Sequence, residues 1–189
     1  YNLSDASTLR ILENHVKSGK IKVVLSDIVV QESKRHIAAR VKEVCGIVNI
    51  ARNSALKVYN EHLISSIGMN EMFRIVESED DIIAKEEKVF DDFLCAIDAE
   101  ILGTDLIDIN SVLSDYFGAK PPFEESGKKK SEFPDAFIAQ QIRNRFGETE
   151  TVVIVSNDKG FIRACRESEN HLFFNSLGAL YNAISKADA

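Results

Sequence analysis

Three carboxylates, Glu32, Asp135 and Asp158, stand where an α/β chain gathers its chemistry. Asp158 follows the apolar run of "TVVIVSNDKGF". Asp135 opens the helical stretch after "KKKSEFP", and Glu32 comes about a turn and a half of helix after "IKVVLS". In an open α/β sheet, ligands collect beyond the C-terminal ends of the strands. Carboxylates drawn to one edge repel, and each raises the pKa of its neighbours unless compensated. A divalent cation is the simplest compensation. Hard cations such as Mg²⁺ take carboxylate oxygens, keep several waters and complete their shell with substrate phosphate. No His-rich or Cys-rich set competes, which argues against zinc. Each acid also has a plain structural reading. Asp158 can cap the helix at Lys159, and Asp135 can interact with the dipole of its own helix. Glu32 can pair with Arg35 or His36. Spacing alone leaves both kinds of reading open.

Other polar groups flank these acids. Lys128, Lys129 and Lys130 offer positive charge beside Asp135, of the kind that positions a phosphate without reading sequence; a solvated loop is the competing reading. Arg143, Arg145, Lys159 and Arg163 could extend that patch. Phe123 could stack on a base, although packing against the domain is the simpler role. Glu132 adjoins the Asp135 segment but points elsewhere on the helix. His36 shares a helical face with Glu32 and reads as a surface histidine. Gly160 is expected to serve the backbone turn.

The elements that must position these groups alternate. A helix opens the chain, with Ser4 or Asp5 as its cap and Gly19 as its end. A short β-branched strand follows at 21–26. A long helical region begins near Asp27 and is either one helix or two broken near Gly46. The segment 73–78 is ambiguous, and 79–102 reads as a helix. A short helix surrounds "DINSVLSDYFGA", and 120–132 is the clearest loop. Pro134 suits the first turn of a helix over 134–145. The strand before Asp158 comes next, followed by a helix at about 159–167, a strand at "HLFFN" and a last helix. This order predicts an α/β fold with parallel strands. The middle section, about 40–105, reads as a helical insertion within one domain spanning 1–189.

Composition narrows the class. The chain has 189 residues, 44% hydrophobic and 28% charged, with 11 Phe and no Trp. That is an ordinary globular balance with enough length for a sizeable core. No apolar run approaches the roughly 18 residues of a membrane span. The three cysteines, Cys45, Cys95 and Cys165, form neither a metal-ligand pair nor a disulfide framework. With no basic-then-apolar leader in view, a reducing cytoplasm is the expected setting. The net charge of −7 argues against binding polyanions by bulk charge, so such a partner would need a local patch or bound cations.

"KKKSEFPDAFIAQQI" followed by "TVVIVSNDKGF" resembles the PIN domain, a metal-dependent nuclease superfamily. The likeness runs through "LSDIVVQE" and covers essentially the whole chain. It is greatest to large bacterial PIN-like domains with a Pro-Pro-Phe loop and a Phe-Pro-Asp motif. The resemblance implies a three-layer α/β/α fold with a parallel sheet and a helical insertion. It also implies phosphodiester hydrolysis with Mg²⁺ or Mn²⁺, most often of RNA, with DNA as a second candidate. Glu32, Asp135 and Asp158 match the family's acids, and Asn157 matches the polar neighbour of the last one. The family usually begins with a strand ending in Asp. Here Tyr1 starts with the residues that normally follow it, and Asp5 lies too far into the helix to replace that acid. Without that strand, apolar sheet edges are expected to be exposed.

The resemblance leaves toxin, RNA-processing enzyme and phage-defence component all open. A homo-oligomer or a protein partner such as an antitoxin would fit, and no membrane is implied. The alternative from another class is a non-catalytic or degenerate PIN-like domain that binds nucleic acid or assembles with a partner. A phosphatase-like or receiver-like α/β domain ranks lower, because no nucleophilic Asp ends the early strand.

Overall fold

The computed structural model describes residues 6–59, 61–66, 68, 71, 77–123, 131–147, 150–166 and 169–187. The chain divides into two compact units. The first comprises Tyr1–Val29 and Ala96–Ala189, and the second Val30–Cys95. The expected caps Ser4 and Asp5, most of the ambiguous segment 73–78, and Lys128, Lys129 and Lys130 lie outside the described residues.

In the first unit, helix α1 (Ala6–Lys17) ends at Gly19, whose φ of +70° closes the last turn. The Gly19 and Lys20 amides donate to Val16 O and His15 O, satisfying carbonyls that the helix leaves open. Strand β1 (Val24–Ser26) pairs in parallel with β2 (Glu100–Leu102), Leu25 opposite Ile101. Strand β3 (Val152–Val155) pairs in parallel with β4 (His171–Phe174), Ile154 opposite Phe173. The α/β class with parallel pairing is therefore present, as two two-stranded sheets. Each strand has one ladder partner among the described residues, and Val153 and Val155 on β3 are exposed.

Strand β2 was not legible in the sequence, where 79–102 reads as helix. The helix stops at Ala96, and Asp98 takes a positive φ of 45° that few residues other than Gly, Asn and Asp tolerate. Glu100–Leu102 then pairs with β1, so strand pairing overrides the helical preference of the segment.

Helix α2 (Asp27–Val58) begins in the first unit and runs unbroken through Gly46 in the second. The second unit continues with α3 (Glu61–Ser66) and α4 (Glu79–Ala96). Lys34 on α2 pairs with Asp91 on α4 at 2.7 Å, and among the described residues of this unit Cys45 and Leu94 are buried.

The described residues of the first unit also form α5 (Ile109–Phe117), α6 (Phe133–Arg145), α7 (Lys159–Ala164) and α8 (Leu177–Ala187). The central one is α6. Its Ala136 joins a cluster with Val112 and Phe123, and its Ala139 joins another with Ile154, Ala164 and Cys165. Two alanines give α6 a low surface at both places, so neighbours approach closely. Tyr181 on α8 ties back to α1, its hydroxyl donating to Thr8 O at 2.9 Å.

Candidate active site

Asp135 sits in the first turn of α6 because Phe133 and Pro134 start the helix. Proline costs nothing there, since the N–H it lacks would have no intrahelical acceptor. The residue is half-buried. Asp158 sits at the N-cap of α7, after β3 has ended at Val155. Its Oδ1 accepts from Phe161 N at 2.8 Å, and its own amide donates to Ser156 Oγ at 3.1 Å. Asp158 is thus a true helix cap, and its side chain remains exposed.

Asp135 and Asp158 stand at the starts of two helices that pack together. α6 and α7 pack together through Ala139, Ile142, Phe161 and Ala164. The loop Pro121-Pro122-Phe123 lies against the beginnings of both. Phe123 packs with Phe133 and Ala136 of α6. A Cβ on Gly160 would be in ordinary contact with Pro122, 3.9 Å from its O, and tighter, 3.2 Å, against Asp158 Oδ1. Gly160 therefore serves a close approach. It is absent from the positive-φ positions that would make it a special turn residue.

Glu32 lies on the second turn of α2, in the second unit, with its nearest charge partner Arg35 at 3.9 Å. Asn157 is exposed beside Asp158. Two of the three arginines expected to extend the basic patch, Arg143 and Arg145, stand at the other end of α6. Arg143 donates to Gln140 Oε1 at 2.7 Å. Arg145 makes a fork on Glu100, with Nε at 2.6 Å and Nη2 at 3.1 Å. Ten residues of helix, about 15 Å, separate Arg145 from Asp135. Arg145 first and Lys22 second hold the Glu100 carboxyl down to about 2. That pair anchors β2 to α6. Phe123 is fully buried and fills the core, so base stacking is not its role.

One contact had no sequence signal. Gln141, 0% exposed, donates its amide to Asp27 Oδ1 at 2.8 Å, Gly103 O at 3.0 Å and Leu102 O at 3.2 Å. It joins the C-terminal ends of β1 and β2 to α6. Its Oε1 has no hydrogen-bond partner among the described residues. Asp27 reads in sequence only as a helix start, and Gln141 as a polar residue on a helix.

A family model described as the PIN domain matches residues 1–161. The chain belongs to the PIN-domain family. Neither a curated protein nor a solved structure matches it. PIN domains are commonly nucleases, bind nucleic acids and typically use divalent metals. In this PIN domain the donor type at Asp135 and Asp158, carboxylate oxygen without sulfur or imidazole, suits a hard cation. No group of three or more His, Cys, Asp or Glu side chains is placed to hold a metal among the described residues. Nor is any described helix long and apolar enough to cross a membrane.

Proposed function

We propose that this PIN domain is a Mg²⁺- or Mn²⁺-dependent nuclease that hydrolyses phosphodiester bonds of RNA, with DNA as the second substrate to test. The observation that carries the reading is the placement of Asp135 and Asp158 at the starts of two packed helices bridged by one proline loop. Asp135 and Asp158 would hold the cation, and Glu32 is proposed as the third acid from the sequence pattern alone. A divalent ion bound there supplies a water of lowered pKa and stabilises charge on the phosphate oxygens.

The remaining roles belong to the chain itself. The cap bond from Phe161 N fixes one oxygen of the exposed Asp158. Asn157, exposed beside it, can donate its amide to a phosphate oxygen. Lys128, Lys129 and Lys130 are proposed, again from sequence, to position the substrate backbone. The setting is proposed to be cytoplasmic, and an antitoxin-like partner or a second copy fits the same reading.

The deciding experiment incubates the protein with single-stranded RNA and Mn²⁺, beside Asp135→Asn and Asp158→Asn. Cleavage by the parent chain and its loss in both variants is the expected result. RNA binding without cleavage would instead make this a non-catalytic PIN domain, and cleavage surviving in both variants would remove these two acids from the mechanism.

A further inference from the structure

Phe117 is the exception among the phenylalanines. Of those described, it alone is exposed, at 79%, whereas the others are buried or half-buried. It closes α5, and the residue before it, Tyr116, turns inward. The Phe117 ring meets Tyr116 edge-on at 5.2 Å. Tyr116 stacks on Phe133 at 5.2 Å and meets the buried Phe123 edge-on at 5.4 Å. Phe133 stands two residues before Asp135. An apolar ring left in water is therefore mounted on the same aromatic cluster that seats the candidate acid.

A cation lies in the same turn. Beyond Phe117 the helix ends at Gly118, Ala119 takes a φ of +49°, and Lys120 follows. The Lys120 side chain is 65% exposed, with its ammonium 3.4 Å from Asp115. An exposed aromatic face with a lysine beside it is the combination that binds single-stranded nucleic acid, the ring taking a base and the cation the neighbouring phosphate.

We propose that Phe117 is a base-stacking platform for a single-stranded nucleic acid, with Lys120 contacting the adjacent phosphate. The inference rests on the nucleic-acid substrate of the nuclease reading and names a residue that selects and seats that substrate. The same face of α5 carries Ile109 and Leu113, both exposed. A protein docked along that stripe is the rival occupant. The observations favour a base, because Lys120 follows Phe117 by three residues and Tyr116, the ring that Phe117 meets, stacks on Phe133 beside Asp135.

The absence of Trp from the chain provides a clean probe. Phe117→Trp introduces a single tryptophan, excitable apart from the four tyrosines, at an exposed position. In metal-free buffer, to prevent cleavage, titration with a single-stranded RNA oligonucleotide should quench it saturably. An abasic strand of the same length should bind with little quenching. Phe117→Ala should weaken RNA binding about 5- to 150-fold, the range set by stacking one base, and leave affinity for the abasic strand unchanged.

The proposal is overturned if the tryptophan is not quenched while RNA binds, if Phe117→Ala leaves RNA affinity unchanged, or if no strand binds. It is also overturned if Phe117→Ala changes sedimentation instead of affinity, which would assign the face to a second copy. Quenching without cleavage in Mn²⁺ would sink the nuclease reading alone, and cleavage without quenching would sink the stacking alone.

Discussion

The amide of Gln141 donates to Asp27 across 114 residues of chain, at 2.8 Å. Through Leu102 O and Gly103 O the same nitrogen also holds the end of β2. One buried side chain thus joins the starts of two strand-to-helix turns to α6. Gln141→Leu leaves these acceptors without their donor and should cost about 1–3 kcal/mol of stability, the usual range for a buried polar group that loses its partner. Gln141→Glu sets a second carboxylate against Asp27 and should cost more, with recovery as the pH falls. Chemical denaturation reads both, and an unchanged midpoint in Gln141→Leu would show that the contact contributes nothing net.

The Glu100–Arg145 fork predicts a pH dependence. The folded pKa of Glu100 falls from 4.5 to about 2, mainly through the hydrogen bond from Arg145 and then that from Lys22. A depressed carboxylate stabilises the fold above its unfolded pKa, and that contribution is lost as pH falls through the folded one. The stability of the parent chain should therefore drop between about pH 4.5 and 2 more steeply than that of Glu100→Gln. Thermal melts across this window decide it: parallel curves would mean the ion pair does not contribute. High salt should shrink the difference, because both side chains are partly solvated.

Asp158 has two separable roles, and two variants divide them. Asp158→Asn keeps a good N-cap oxygen for Phe161 N and removes the charge. Its stability should match the parent's while metal-dependent cleavage disappears. Asp158→Ala loses the cap as well and should cost about 0.5–2 kcal/mol. Equal activity in Asp158→Asn and the parent would leave Asp158 as a cap and nothing more.

Gly160→Ala tests the close approach of Gly160 to the Asp158 cap. In an open helical position alanine gains up to about 1 kcal/mol over glycine. Here the new Cβ would lie 3.2 Å from Asp158 Oδ1, so the carboxylate must shift by a few tenths of an ångström. The variant should show no gain in melting temperature and a larger loss of cleavage than of stability. Full stabilisation with intact activity would mean that the loop and cap have room to spare.

Local signals were legible wherever neighbours within about four residues decide the outcome. The helix after Phe133-Pro134-Asp135, the strand before Asp158, the Asp158 cap and the end of α1 at Gly19 all belong to that class. Each depends on a proline ring, an apolar run, a side-chain oxygen or a positive φ. Strand β2 was not legible, because three residues carry no period and only pairing with β1 makes them a strand. Phe123 was expected to pack against the domain, with base stacking as the rival, and its burial against Phe133 and Ala136 bears that out.

By itself, the amino-acid sequence determined the α/β class, the PIN-domain membership and the identity of the acids worth testing, because motifs and periodicity are properties of neighbouring residues. Only the tertiary structure decided which side chains are already engaged. Arg145 is held by Glu100 at the far end of α6, Gln141 by Asp27, and Phe117 is left in water while Phe123 is buried. Those outcomes depend on contacts between residues from about ten to more than a hundred positions apart, where local sequence patterns carry no information about which groups meet.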